Sequence, residues 1–341
     1  MCRIPTLYIA LFEPRFNLFF SFHGGWHTFL LFMVDLSREI GYFSCAMTIL
    51  DSLILGLVEG LTEYLPVSST GHLIITQYLL GLPESEAMHA FEICVQGGAI
   101  LAVMGLYFRR VREMWYGLLG KNPAGVRMMI NMLAGFLPAM VIGLMCADYI
   151  KGYLFNATTV MVMWVLGGIA ILLYVRHQKK KGKGFEGKEL SELTWKGALG
   201  IGFMQCIAMI PGTSRSLMTM LGGLTVGLSV AAAVEFSFLL GLITLGAATV
   251  HDAWKFGGDM VNTIGWEAIV AGSVMAWASS IVAVRWMVGY LNRHSLSIFG
   301  WYRIAAGIVM LGLILCGLKV GGEEPQTNAP VSESAEVQKT R

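Results

Sequence analysis

Gly56-Leu57-Val58-Glu59-Gly60-Leu61-Thr62-Glu63-Tyr64-Leu65-Pro66-Val67-Ser68-Ser69-Thr70-Gly71-His72 is an apolar segment that carries two carboxylates, a proline, three consecutive hydroxyls and a histidine. A second such break reads Pro211-Gly212-Thr213-Ser214-Arg215-Ser216-Leu217-Met218-Thr219. The surrounding stretches, 49–80 and 195–227, are apolar, yet each is interrupted in its middle by a proline beside a Ser/Thr cluster. Irregular backbone at membrane depth is tolerated only where it lines a protein-enclosed or watery cavity. Both stretches therefore read as re-entrant helix–loop–helix hairpins.

The rest of the chain agrees. Of its 341 residues 55% are hydrophobic and only 13% charged, about half the roughly 25% charged fraction of ordinary soluble domains. That balance excludes a soluble enzyme, a nucleic-acid binder and a disordered protein. The net charge of +2 points to no polyanionic partner. A polytopic membrane protein embedded in a lipid bilayer remains. Its six cysteines show no metal-like or redox spacing and read as small hydrophobes, without a disulfide framework.

A spanning helix needs about 20 mostly apolar residues. Six stretches qualify, roughly 88–108, 126–148, 158–176, 229–250, 266–290 and 297–318. Basic residues crowd the loops at 109–127 and 176–196, and Arg285, Arg293 and Arg303 sit at the edges of the last helix-to-helix turn. The positive-inside rule makes that side cytoplasmic. The first hairpin then enters from outside and the second from the cytoplasm, an inverted repeat of a known membrane type. Pro66 and Pro211 are 145 apart, as are Ser69 and Ser214. The fold expected is an all-α polytopic membrane protein, with six transmembrane helices plus two re-entrant helix–loop–helix hairpins in an inverted repeat. Residues 47–318 form one membrane domain with halves at about 47–176 and 193–318, and 319–341 is a disordered polar tail. Residues 1–46 lack a clean period and read as an over-extended reading frame ahead of a start at Met47, with an extra anchor helix as the alternative.

Glu59 and Glu63 are spaced i,i+4 and share one helix face. Two carboxylates there need a cation, a proton or an arginine between them. A hard divalent ion fits, because Mg²⁺ uses one or two carboxylates plus substrate phosphates. A watery vestibule at a helix end is the plainer alternative. Ser68, Ser69 and Thr70 open the second arm of the hairpin, where free N–H groups and a positive dipole end suit a phosphate. Hydroxyls there are also ordinary helix caps. His72 is three residues after Ser69, within reach of its proton if the turn is helical.

Arg215 is the single basic residue between Lys196 and Lys255. A guanidinium in an apolar segment needs an anion, and its planar fork matches a phosphate. Thr213, Ser214, Ser216 and Thr219 add hydroxyls, and Gly212 lets the backbone come close. An internal ion pair with a glutamate is the alternative and is compatible with a phosphate site. Glu92 and Glu235 read as structural.

These two motifs resemble the signature motifs of the undecaprenyl-diphosphate phosphatase family, also called bacitracin-resistance proteins. Phe91-Glu92, Gln96 and Glu235-Phe236-Ser237-Phe238-Leu239-Leu240 are similar to the family too, and the resemblance covers about 47–318. It implies hydrolysis of undecaprenyl diphosphate to undecaprenyl phosphate, which recycles the lipid carrier for cell-wall synthesis and confers bacitracin resistance. It implies a plasma-membrane enzyme with an outward-facing site, dependent on a divalent cation, Mg²⁺ or Ca²⁺. By motif position, Glu59 and Glu63 handle metal and phosphate, Ser69 and His72 form a nucleophile/base pair, and Arg215 clamps the diphosphate. Ser214 and Thr219 assist, and Ser68, Thr70 and Gly212 line the phosphate site. Attack by Ser69, by water or by His72 itself are all open. A prenyl-phosphate flippase using the same site is the alternative function. The 41 glycines permit close helix packing and hence a homodimer.

Overall fold

The computed structural model describes residues 47–82, 85–180 and 186–317. The expectations for 1–46 and 319–341 fall outside the described residues. The described chain is helical. Among these residues no strand forms, and one isolated backbone bridge joins Lys188 to Leu228.

The first hairpin is α1 (Ile49–Thr62), a break, and α2 (Ser69–Leu80). Thr48 starts α1 through a capping box, its hydroxyl accepting from the Asp51 amide at 3.1 Å while Asp51 accepts from the Thr48 amide at 2.9 Å. Next come α3 (Glu86–Leu106), α4 (Phe108–Leu118), α5 (Pro123–Tyr149) and α6 (Ala157–Lys180). The second hairpin is α7 (Trp195–Ile207) and α8 (Arg215–Thr225). The chain ends with α9 (Val230–Ile264), α10 (Trp266–Leu291) and α11 (Ser297–Leu315).

Six helices are long and apolar enough to cross a membrane, α3, α5, α6, α9, α10 and α11, matching the six expected. The hairpin arms, of 11 to 14 residues, are only about 16–21 Å long at 1.5 Å per residue. Neither arm alone crosses a core of about 30 Å, which fits re-entrant arms.

Two elements differ from the sequence reading. The loop expected at 109–127 contains α4, held by Arg109–Glu113 and Arg110–Glu113 pairs at 3.3 and 3.1 Å, spaced i,i+4 and i,i+3. The helix expected to stop at 250 runs on to Ile264, because no proline interrupts 250–264 and the helix ends only at Gly265 with φ 91°. The polar residues there merely take it beyond the apolar span, which ends at Lys255.

Exchanging the two halves reproduces much of the packing. Hairpin arm α1 lies on α10, and its counterpart α7 lies on α5. The pairs α3–α9 and α6–α11 each join a helix to its own counterpart. The α1–α10 contact is close because glycine permits it. A Cβ on Gly56 would collide with the Gly272 carbonyl, and one on Gly60 with Ser279 and the Ala276 carbonyl. Serines of α10 then strap the arm, Ser280 Oγ donating to the Gly60 carbonyl at 3.1 Å. On the other side, Gly202 of α7 meets Gly135 and Pro138 of α5. The largest apolar core surrounds α8, whose residues Ser216 to Leu224 are all buried. The polar groups of α8 must therefore find partners inside the protein.

Candidate active site

The two hairpin breaks use one backbone device. Ser68 and Ser214 precede α2 and α8 with φ/ψ of 71°/103° and 76°/115°. They are the non-glycine residues with positive φ among those described. Such a conformation costs on the order of 1–3 kcal/mol and persists where the surroundings enforce it. The conformation corrects the expected repeat register. Ser68, not Ser69, is the counterpart of Ser214, so Ser69 corresponds to Arg215. The second break holds one residue more between its proline and the turn. Gly212, at φ 86°, sits against the backbone of Val160 with no room for a Cβ.

Glu63 lies where the breaks meet. Its Oε1 accepts from Arg215 Nη2 at 2.8 Å and its Oε2 accepts from Ser69 Oγ at 2.6 Å. The ion pair is deeply buried, with side-chain exposures of 11% and 7%. Arg215 Nη1 donates to the Ser237 carbonyl at 3.0 Å, and the guanidinium lies over the Tyr64 ring at 5.6 Å. Gly241 leaves space for it, since a Cβ there would collide with Nη1. Thr219 stands one turn behind Arg215. Its hydroxyl bonds the Arg215 carbonyl at 2.9 Å and Ser237 Oγ at 2.6 Å, so it braces the arginine from behind. Ser214 Oγ caps α8, accepting from Leu217 N at 3.3 Å, and meets Ser216 Oγ at 2.9 Å. Ser216 Oγ donates to the Leu65 carbonyl at 2.8 Å and so ties one break to the other.

Glu59 is buried one turn before Glu63, and its Oε1 has no partner. The Gln96 amide is directed at this carboxylate. Tyr64 Oη, Thr213 Oγ1 and Arg215 Nε are likewise buried without partners. A buried polar atom left unmade is costly, and these four atoms stand in that state. Glu59 supplies a hard anionic oxygen with free lone pairs, which fits Mg²⁺ or Ca²⁺. Among the described residues no three His, Cys, Asp or Glu side chains gather as a metal cage, so a cation here needs substrate oxygens to complete its shell, as Mg²⁺ commonly does.

The expected contact between Ser69 and His72 does not form. His72 Nδ1 bonds the Ser68 carbonyl at 2.7 Å and Nε2 meets Tyr302 Oη at 2.6 Å. The carbonyl can only accept, so Nδ1 carries the proton and Nε2 accepts from the tyrosine. The imidazole also packs against Trp164, with ring centroids 4.9 Å apart. Ser69 turns to Glu63 instead. Ser68 is buried and Thr70 half-buried beside it. Glu235 pairs with Arg110 at 2.6 Å, and Glu92 accepts from Gln77. Both stand in hydrogen bonds to other side chains of the protein.

Sequence reasoning passed over Tyr302 and Arg303. Its place in the sequence makes Arg303 an edge charge, but it is fully buried. A signal existed, for an arginine seven residues into an apolar helix meets the same rule that singled out Arg215.

A multi-pass helical membrane protein, with two facing broken hairpins that share a carboxylate–hydroxyl–guanidinium centre, is the class these features define. Residues 52–309 match the family of bacitracin resistance protein BacA. The chain belongs to that family. It is 44% identical over 269 residues to undecaprenyl-diphosphatase 2 of Rhodospirillum rubrum, covering 78% of this chain and 94% of that protein. It is 44% identical over 269 residues to the undecaprenyl-diphosphatase of Methylococcus capsulatus, covering 79% and 96%. The undecaprenyl-diphosphatase of Ectopseudomonas mendocina matches at 44% over 260 residues, covering 76% and 92%.

Proposed function

We propose that this chain hydrolyses undecaprenyl diphosphate to undecaprenyl phosphate and inorganic phosphate, recycling a lipid carrier for cell-wall synthesis and conferring bacitracin resistance. The observation that carries the chemistry is the Glu63 carboxylate, held between Ser69 Oγ at 2.6 Å and Arg215 Nη2 at 2.8 Å. A hydroxyl needs a base within about 2.6–3.2 Å to act as a nucleophile, and Glu63 meets that condition where His72 does not.

In this mechanism Glu63 takes the Ser69 proton as Oγ attacks the outer phosphorus in line. The bond from that phosphorus to the bridging oxygen breaks, and undecaprenyl phosphate leaves. Water then attacks the phosphoserine, Glu63 returns its proton to Oγ, and inorganic phosphate is released. Arg215 shares its guanidinium between Glu63 and the diphosphate, and its unpartnered Nε is free for a phosphate oxygen. The N-termini of α2 and α8 add backbone donors. Glu59 and Glu63 would hold Mg²⁺ or Ca²⁺, which when bound neutralises charge on the phosphate oxygens.

The basic segments at 109–127 and 176–196 support a cytoplasmic assignment for their side, which turns the first hairpin and its site outward from the plasma membrane. Gly105, Gly246, Gly289 and Gly312 meet nothing within 4 Å at their Cβ positions, which would let a second copy approach to form a homodimer. The relatives above carry a hydrolase name, and the prenyl-phosphate flippase alternative has no support from them.

The test is phosphate release from undecaprenyl diphosphate by the detergent-purified full chain, with and without EDTA, beside Arg215→Ala. Metal-dependent release that collapses in the variant is the expected result. A folded sample that binds the lipid without releasing phosphate would sink the reading.

A further inference from the structure

Arg303 is the largest charged side chain with no exposure at all. It projects from α11 and meets no carboxylate among the described residues. Its guanidinium instead donates to four backbone carbonyls. Nη1 bonds Pro66 O at 3.3 Å, Nη2 bonds Gly212 O at 2.8 Å and Met163 O at 2.8 Å, and Nε bonds Trp164 O at 3.3 Å. Pro66 lies in the first hairpin break and Gly212 in the second, while Met163 and Trp164 belong to α6. One residue thus ties both broken segments to a spanning helix. Gly167 makes the space, because a Cβ there would collide with the guanidinium.

The carbonyls of a broken membrane segment cannot be left bare, and Arg303 satisfies one from each break with a single rigid fork. Pro66 stands three residues before Ser69, and Gly212 stands three before Arg215. Ser69 and Arg215 must both reach the same Glu63 carboxylate, so the spacing of the two breaks sets their geometry. We propose that Arg303 is a positioning residue for phosphoryl transfer, acting through the two hairpin breaks to hold Ser69 and Arg215 on opposite oxygens of Glu63. The role rests on the phosphatase reading above. It assigns Arg303 to the chemical step and not to substrate binding, since every donor the structure pairs is spent on backbone.

The experiment uses the full chain in detergent with undecaprenyl diphosphate, and wild type, Arg303→Ala and Gly167→Ala side by side. A wild-type protein without phosphate release defeats the phosphatase reading itself, separately from this one. With active wild type, Arg303→Ala is expected to lose about 10²-fold in kcat, the scale of an ångström-level misplacement, while KM stays within about threefold. Free guanidinium ion at millimolar concentration is expected to restore part of that kcat. Gly167→Ala keeps the arginine but crowds its seat, and kcat is expected to fall in the same direction. The variants' thermal transitions report folding. Wild-type kcat in folded Arg303→Ala, or a rise in KM alone, would overturn the proposal. If Arg303→Ala does not fold, Gly167→Ala decides, and wild-type kcat there overturns it.

Discussion

Ser69 and Arg215 occupy equivalent places in the two hairpins, each the first residue of a second arm, and they hold the two oxygens of one carboxylate at 2.6 and 2.8 Å. The repeat has placed a hydroxyl in one copy and a cation in the other. Glu63, from the first hairpin alone, joins them. Replacing Glu63 by Gln keeps the size of the side chain but removes the proposed base and sets an amide against Arg215. General-base loss typically costs about 10²–10⁴-fold. The kcat for phosphate release is expected to fall within that range, and a Gln variant with near-native kcat would remove Glu63 from the chemistry.

Ser69 and His72 separate under mutation. Ser69→Ala deletes the oxygen proposed to attack, and phosphate release should drop to background with substrate binding retained. His72 keeps its ring in place through the Ser68 carbonyl and Tyr302. Tyr302→Phe removes one hydrogen bond of about 1 kcal/mol, or about fivefold in rate if it acts wholly in the transition state. A serine variant that keeps most activity, beside an inactive His72→Ala, would pass the nucleophile's role to the histidine.

The difference between these two residues marks the limit of what the sequence reveals. Glu59, Glu63 and Arg215 stand out because ionised groups are costly in apolar segments. The hairpins stand out because Pro66 and Pro211 interrupt such segments. Which partner Ser69 takes depends on the turn, not on spacing. Ser69 begins α2, and helical side chains lean toward the N-terminus, so its hydroxyl goes back to Glu63 while His72 goes to Tyr302. The positive φ at Ser68 and Ser214 is equally invisible in composition, which is why the repeat is offset by one from the spacing of its serines. Arg303 reads as a helix-edge charge, because its partners are carbonyls that no pattern of side chains announces.

Glu59 tests the cation. Its buried Oε1 has no protein partner, and a carboxylate in that state requires a positive neighbour. EDTA should abolish phosphate release, and Mg²⁺ or Ca²⁺ should restore it. Glu59→Gln should raise the metal concentration for half-maximal activity by at least tenfold, about 1.4 kcal/mol of lost interaction. An unchanged metal titration in an active Glu59→Gln protein would show that the cation, if used, is held elsewhere.

Gly60 lies one residue from Glu59 and meets Ser279 and Ala276 of α10, so a substitution there probes the scaffold. A methyl there would collide with Ser279 and the Ala276 carbonyl, and α1 would have to move off α10. That movement would lengthen the 3.1 Å bond from Ser280 to the Gly60 carbonyl. Overpacking of this kind costs about 1–3 kcal/mol, and Gly60→Ala should lower the thermal transition in detergent accordingly. Gly105→Ala is the matched control, because a Cβ at Gly105 meets nothing within 4 Å. Its expected effect is neutral or stabilising, since Ala is favoured over Gly in a helix by about 1 kcal/mol. Because Glu59 rides on α1 and Glu63 caps its end, Gly60→Ala should also lose activity while Gly105→Ala keeps it. Equal melting and equal activity for the two variants would mean that α1 is not seated on α10 through its glycines.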